Sequence, residues 1–96
     1  MIYNNVLLTV NNLADCPTVA GLLQELAERS RGEVGCQRFE VYQSQSDPQT
    51  FMLIEQWATD EDLQAHRGAP SFTQVYQPKV LPLVERTPHL CDLISA

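Results

Sequence analysis

The chain has 96 residues, 44% of them hydrophobic and 19% charged, the usage of a folded globular chain and far from that of a disordered one. That length suits one domain over residues 1–96, and a chain of this size buries only about two-thirds of its unfolded surface, so its core is thin. Twelve Asp+Glu against six Lys+Arg give a formal charge of −6, a field that repels nucleic-acid phosphates and anionic lipid and argues against both as partners.

No apolar run approaches the ~20 residues that a membrane span requires. Met1 to Asn5 carries no Lys or Arg and no apolar core, so no leader peptide is expected there. Cys16, Cys36 and Cys91 are odd in number and lack CxxC spacing. They read as reduced thiols of a cytoplasmic protein, with neither a disulfide framework nor a zinc site.

Tyr3 to Val10 is rich in Val, Leu, Thr and Tyr, which suits a strand closed by Asn11-Asn12. Asp15-Cys16-Pro17 then opens a helix, with Pro in the first turn where its missing N–H costs nothing. Val19, Leu22, Leu23, Leu26 and Ala27 recur at helical spacing and form one apolar stripe that ends at Gly32 and Gly35. Cys36 to Gln43 alternates, with Phe39 and Val41 on one face and Arg38, Glu40 and Tyr42 on the other. A polar loop with Asp47-Pro48 joins it to a second strand, Thr50 to Ala58.

That second strand is informative. Phe51, Leu53, Glu55 and Trp57 share one face, and Met52, Ile54, Gln56 and Ala58 the other. Both faces are largely apolar, so both should be covered. Two helical segments cover one face of a sheet, and a second copy of the chain most simply covers the other. A homodimer is therefore expected.

Thr59 caps a helix that begins with three acids, Asp60 to Asp62, suited to the positive helix end. Leu63 and His66 share a face of it, and Gly68 and Pro70 break it. Ser71 is expected to cap a second piece whose buried side is Phe72, Val75, Tyr76, Val80 and Leu83, with a kink at Pro78. His89 to Ser95 is expected as the last strand. The order β-α-β-β-α-β predicts an α+β, ferredoxin-like fold: an antiparallel sheet with helices on one face.

Three stretches carry a resemblance to a known family. Gly35-Cys36-x-Arg38-Phe39-Glu40-Val41-Tyr42, then Phe51-x-Leu53-x-Glu55-x-Trp57, then Leu63-x-Ala65-His66 with Phe72, resemble the antibiotic biosynthesis monooxygenase (ABM) domain. The resemblance implies a dimeric α+β barrel in which two sheets pack face to face. It implies one of several chemistries: cofactor-free oxygenation of phenols or quinols, haem degradation, or processing of the autoinducer-2 signal.

His66 is the leading catalytic candidate, because neutral imidazole near pH 7 is well suited to take a proton from a phenol or enol. The resulting anion hands an electron to O2 without flavin or metal. The plainer alternative is that His66 only bonds Glu55 or a backbone carbonyl. Glu55 is expected to orient His66 or bond a substrate hydroxyl, or else to be a satisfied buried acid. Trp57 is either a wall for a flat substrate or a core anchor, and Phe72 and Tyr76 would complete an aromatic pocket or simply be core. On the first strand the resemblance implies a pocket Asn, which either Asn4 or Asn5 fits. Arg38 would hold an anionic substrate or pair with Glu40.

Neither the histidines nor the cysteines have metal-ligand spacing. The haem-degrading branch would place an axial His one turn past Phe72, where this chain has Tyr76, so haem is disfavoured. The expectation is a cofactor-free oxygenase taking O2 and a small phenol or quinol. The alternatives are a proton-transferring isomerase of an autoinducer-2-like signal and a non-catalytic ligand-binding dimer.

Overall fold

In the computed structural model, which describes all 96 residues, the first strand, β1, runs from Ile2 to Val10. Its even-numbered residues Asn4, Val6, Leu8 and Val10 are buried, while Leu7 and Thr9 are exposed. A short 3-10 turn, Leu13–Asp15, is capped by Asn12, whose side chain accepts from the Ala14 N–H. It feeds α1, Cys16–Ser30, with Pro17 in its first turn. The expected stripe is the buried one, with Val19, Leu23, Leu26 and Ala27 inside and Leu22 half-buried.

Strands β2 (Cys36–Gln43) and β3 (Thr50–Trp57) form the expected antiparallel hairpin. Helix α2 spans Asp60–Arg67, and the Thr59 hydroxyl accepts from the Asp62 N–H as its N-cap. A π-helical segment, α3, covers Ser71–Val80, and after a 3-10 turn β4 runs from Val84 to Cys91. The sheet order is β2-β3-β1-β4, antiparallel throughout. This is the α+β, ferredoxin-like arrangement, with the hydrophobic core between one sheet face and the helices.

Two local expectations are corrected. The last strand begins five residues earlier than expected and ends at Cys91 rather than Ser95. Pro88 does not exclude it, because β4 is an edge strand and an edge tolerates a missing ladder donor. Ser71 is not a cap: Pro70 holds that position without a side-chain bond, and the Ser71 hydroxyl turns inward to donate to Glu33. As expected, α3 runs past Pro78. It continues to Val80 with a wider winding, and the Leu81 N–H reaches back to the Tyr76 carbonyl, a spacing at which the pattern around a proline differs from that of an α-helix.

The two-sided pattern of β3 is realised. Phe51, Leu53, Glu55 and Trp57 are buried under the helices, and Met52, Ile54 and Gln56 lie on the open face. There Leu7 and Met52 remain 40% and 37% exposed. With Ile54 they floor a shallow, almost wholly apolar hollow edged by Asn5, His89 and Cys91.

Candidate active site

His66 projects from the last turn of α2 into the space above the sheet and is only 5% exposed. Three aromatic rings surround it: Trp57 with centroids 4.6 Å apart, and Phe39 and Phe72 each at 5.7 Å. One side of the imidazole is held. Its Nδ1 lies 2.6 Å from Oε1 of Glu33, whose other oxygen accepts from the Ser71 hydroxyl. In the neutral ring a carboxylate at Nδ1 selects the tautomer with hydrogen on Nδ1, in which Nε2 is the acceptor.

Glu33 belongs to the loop between α1 and β2, and Gly35 fixes where that loop sits. Gly35 has φ +78, and a Cβ there would run into the Asp62 side chain at the start of α2. Its carbonyl accepts from the Ala58 N–H at 2.8 Å. Only glycine meets both demands, and the close approach lays Glu33 against the helix that carries His66.

Glu55 does not orient His66, contrary to expectation. Its carboxylate accepts from the Trp57 indole N–H at 3.0 Å, because residues i and i+2 of a strand share a face. Burial pushes the Glu55 carboxyl above its ordinary range; the Trp57 donor, the His66 ring, the Asn4 amide and the Arg86 charge pull it back. A raised carboxyl keeps its proton in the folded state while the unfolded chain loses it. Its contribution to stability is therefore whole below the unfolded value and is lost as pH rises through the folded one. Glu55→Gln removes that titration at nearly constant shape. Thermal melts over a pH series should show the stability of the native chain declining relative to Glu55→Gln as pH climbs from the ordinary carboxylate range toward neutrality. Parallel curves would exclude a raised Glu55.

The remaining wall comes from α3 and β4. Phe72 packs against both His66 and Tyr76, with centroids 5.7 and 5.3 Å away. The buried Tyr76 hydroxyl accepts from Nε of Arg86 at 3.1 Å. Burial raises the Tyr76 hydroxyl pKa, and the Arg86 charge opposes the rise. Between these groups lies a cavity of about 10 Å³ bordered by Asn4, Glu55, His66, Arg67, Phe72 and Arg86. That is room for about one water. A ligand larger than water therefore requires the cavity to widen.

The structure thus brings His66, Glu55, Trp57, Phe72 and Tyr76 together. It separates the two asparagines. Asn4 is buried opposite Glu55 in the ladder, whereas Asn5 lies on the open face and donates to Cys91 Sγ. The parity of Val6, Leu8 and Val10 carried that choice. Arg38 points away from the cavity and forms a 2.6 Å pair with Glu40 on the exposed side of β2. Glu33, Ser71 and Arg86 are site residues that the sequence reading did not single out. Arg86 lies on the part of β4 that precedes the expected strand start at His89.

The sequence model of the antibiotic biosynthesis monooxygenase family matches residues 1–77. No curated protein matches the chain. Among solved structures, a conserved protein from Bacteroides thetaiotaomicron VPI-5482, described as a possible oxidoreductase, is 28% identical over 94% of each chain with a TM-score of 0.87. An antibiotic biosynthesis monooxygenase is 24% identical over 97% of this chain and 99% of its own, with a TM-score of 0.85. Rv0793 from Mycobacterium tuberculosis is 22% identical over 100% of this chain and 99% of its own, at 0.82. The last two likenesses bear on the fold alone, but the family match spans four-fifths of the sequence, and the chain belongs to the antibiotic biosynthesis monooxygenase family.

Proposed function

We propose that this chain is a cofactor-independent monooxygenase of a small phenol or quinol. The observation that carries the reading is His66, with Nδ1 bound to Glu33, Nε2 without a partner and three aromatic rings around it. Nε2 takes the phenolic proton, and the Glu33 carboxylate steadies the imidazolium that forms. The electron-rich ring anion passes an electron to O2, and the radical pair closes to a ring peroxide. Loss of the ring C–H proton and departure of hydroxide leave a new carbonyl, and the proton held on His66 completes the water released. Phenol plus O2 gives quinone plus water, and all four electrons that O2 accepts come from the substrate.

Phe72 and Tyr76 serve as walls that hold a flat ring, the fully buried Trp57 packs against the His66 ring, and the Asn4 amide and the Glu55 carboxyl are the polar groups facing the cavity. The experiment is O2 consumption with a panel of quinols and phenols in chelator-treated buffer. Uptake above autoxidation that saturates with substrate is the expected result. A protein that binds these compounds without consuming O2 overturns the oxygenase reading and leaves a binding role.

The second part of the proposal is a homodimer through the open sheet face. Leu7, Met52 and Ile54 leave an apolar hollow there on a chain with a thin core, and burying such a face stabilises a small domain. Across a twofold axis every residue of the face meets the same face of the other copy, so one substitution acts twice. At about ten micromolar the native chain should sediment with twice its 10.8 kDa mass, and Met52→Glu should sediment as a monomer. A native chain that is monomeric at that concentration removes the dimer.

A further inference from the structure

We infer that the substrate of this site carries a carboxylate beside its phenol, seated by Arg67 and Arg86 at the cavity mouth. The inference rests on the pocket reading above and goes beyond it in naming the substrate's charge. Arg67, the last residue of α2, and Arg86, on β4, both border the cavity and are both exposed on its outer side. The chain has only six Lys and Arg against a formal charge of −6. Arg29 and Arg38 are neutralised by Glu25 and Glu40 at 2.8 and 2.6 Å. The two at the mouth are not. Arg67 donates to the neutral amide of Gln64 and Arg86 to the neutral hydroxyl of Tyr76, and neither lies within salt-bridge distance of any carboxylate. Each guanidinium therefore keeps donors and a full charge for an incoming anion.

The interior has the opposite character. Glu55 is buried in the cavity lining, so a carboxylate pushed to the bottom would give up its water beside another carboxyl. An anionic substituent is thus favoured at the lip and disfavoured within, which orients the ring with its phenol toward His66. Guanidinium forks match planar carboxylates in two parallel hydrogen bonds. A carboxylate conjugated to the ring also stays in the ring plane, whereas a tetrahedral phosphate adds girth.

The test is calorimetric titration of the native chain with hydroquinone and with 2,5-dihydroxybenzoate under anaerobic conditions, which removes turnover. The carboxylated probe should bind at least about tenfold more tightly, the size of one charge-assisted pair, and the preference should shrink with added salt. Arg86→Gln and Arg67→Gln should each bring the ratio of the two affinities down toward one. Both side chains are exposed, so unchanged melting curves will certify the folded state. Equal affinity for the two probes in the native chain overturns the carboxylate inference and leaves the phenol pocket standing. So does a preference that survives both substitutions. Heat from neither probe overturns the pocket itself, and the inference falls with it.

Discussion

His66→Ala should abolish metal-free O2 uptake, lowering the rate by about 10² to 10⁴, the usual contribution of a positioned general base. The ring touches three aromatic neighbours and one carboxylate. Its loss should therefore cost no more than about 1–3 kcal/mol of stability, because Glu33 keeps its bond to Ser71 and its side chain is 19% exposed. The variant should stay folded by near-UV circular dichroism. Glu33→Gln separates position from charge. The amide can still accept from Nδ1 and so keeps the tautomer, but it offers no negative charge to an imidazolium. Its rate should fall between those of the native chain and His66→Ala, with little change in KM, because the charge is needed only when the proton has moved. Nitrogen NMR of the imidazole should report the same tautomer in the native chain and Glu33→Gln. If His66→Ala turns over quinol at the native rate, His66 is not the base, and the site must be rebuilt around Tyr76 and Arg86.

How much of this site could be read in advance follows from the kind of contact involved. Alternation placed Glu55 and Trp57 on one buried face, because strand period is fixed by the backbone. Helical spacing likewise placed Leu63 with His66. The partner of His66 was not legible, since Glu33 lies 33 residues away and reaches the ring only through the packing of a loop on a helix. The loop carried one hint, a glycine on each side of Glu33-Val34, but a pair of glycines does not say which helix the turn will meet. Ser71 follows a proline and precedes an apolar run, the sequence of a cap, yet its hydroxyl has a stronger acceptor in the Glu33 carboxylate. Arg86 was not legible because the last strand was expected to begin only at His89, whereas β4 begins at Val84 and, as an edge strand, accommodates Pro88. Local rules thus fixed the elements, and tertiary contacts chose the partners.

Trp57→Ala should be the most destabilising single change, by about 3–5 kcal/mol, a large part of the ~5–15 kcal/mol that holds a small domain folded. Trp57 has no exposed surface, packs edge-on against Phe39 at 6.4 Å and lies tilted against the His66 ring at 4.6 Å. Truncation leaves a cavity under α2 and strips the buried Glu55 carboxyl of its indole donor. Trp57→Phe divides these two losses, since it refills most of the volume and restores no donor. Its remaining cost should be about 1–3 kcal/mol, that of a buried acceptor left unmatched. This cost should depend on pH in a definite direction. The indole bond favours the ionised form of Glu55, so its removal raises that carboxyl further. In acid, where Glu55 is protonated in both proteins, the donor matters little and the penalty is small. As pH rises and the native chain begins to ionise Glu55, the penalty grows. Urea unfolding of Trp57→Phe and the native chain across that range is the measurement, with Glu55→Gln as the background in which the pH dependence should vanish. A penalty that stays constant with pH would mean that Trp57 acts only by filling space.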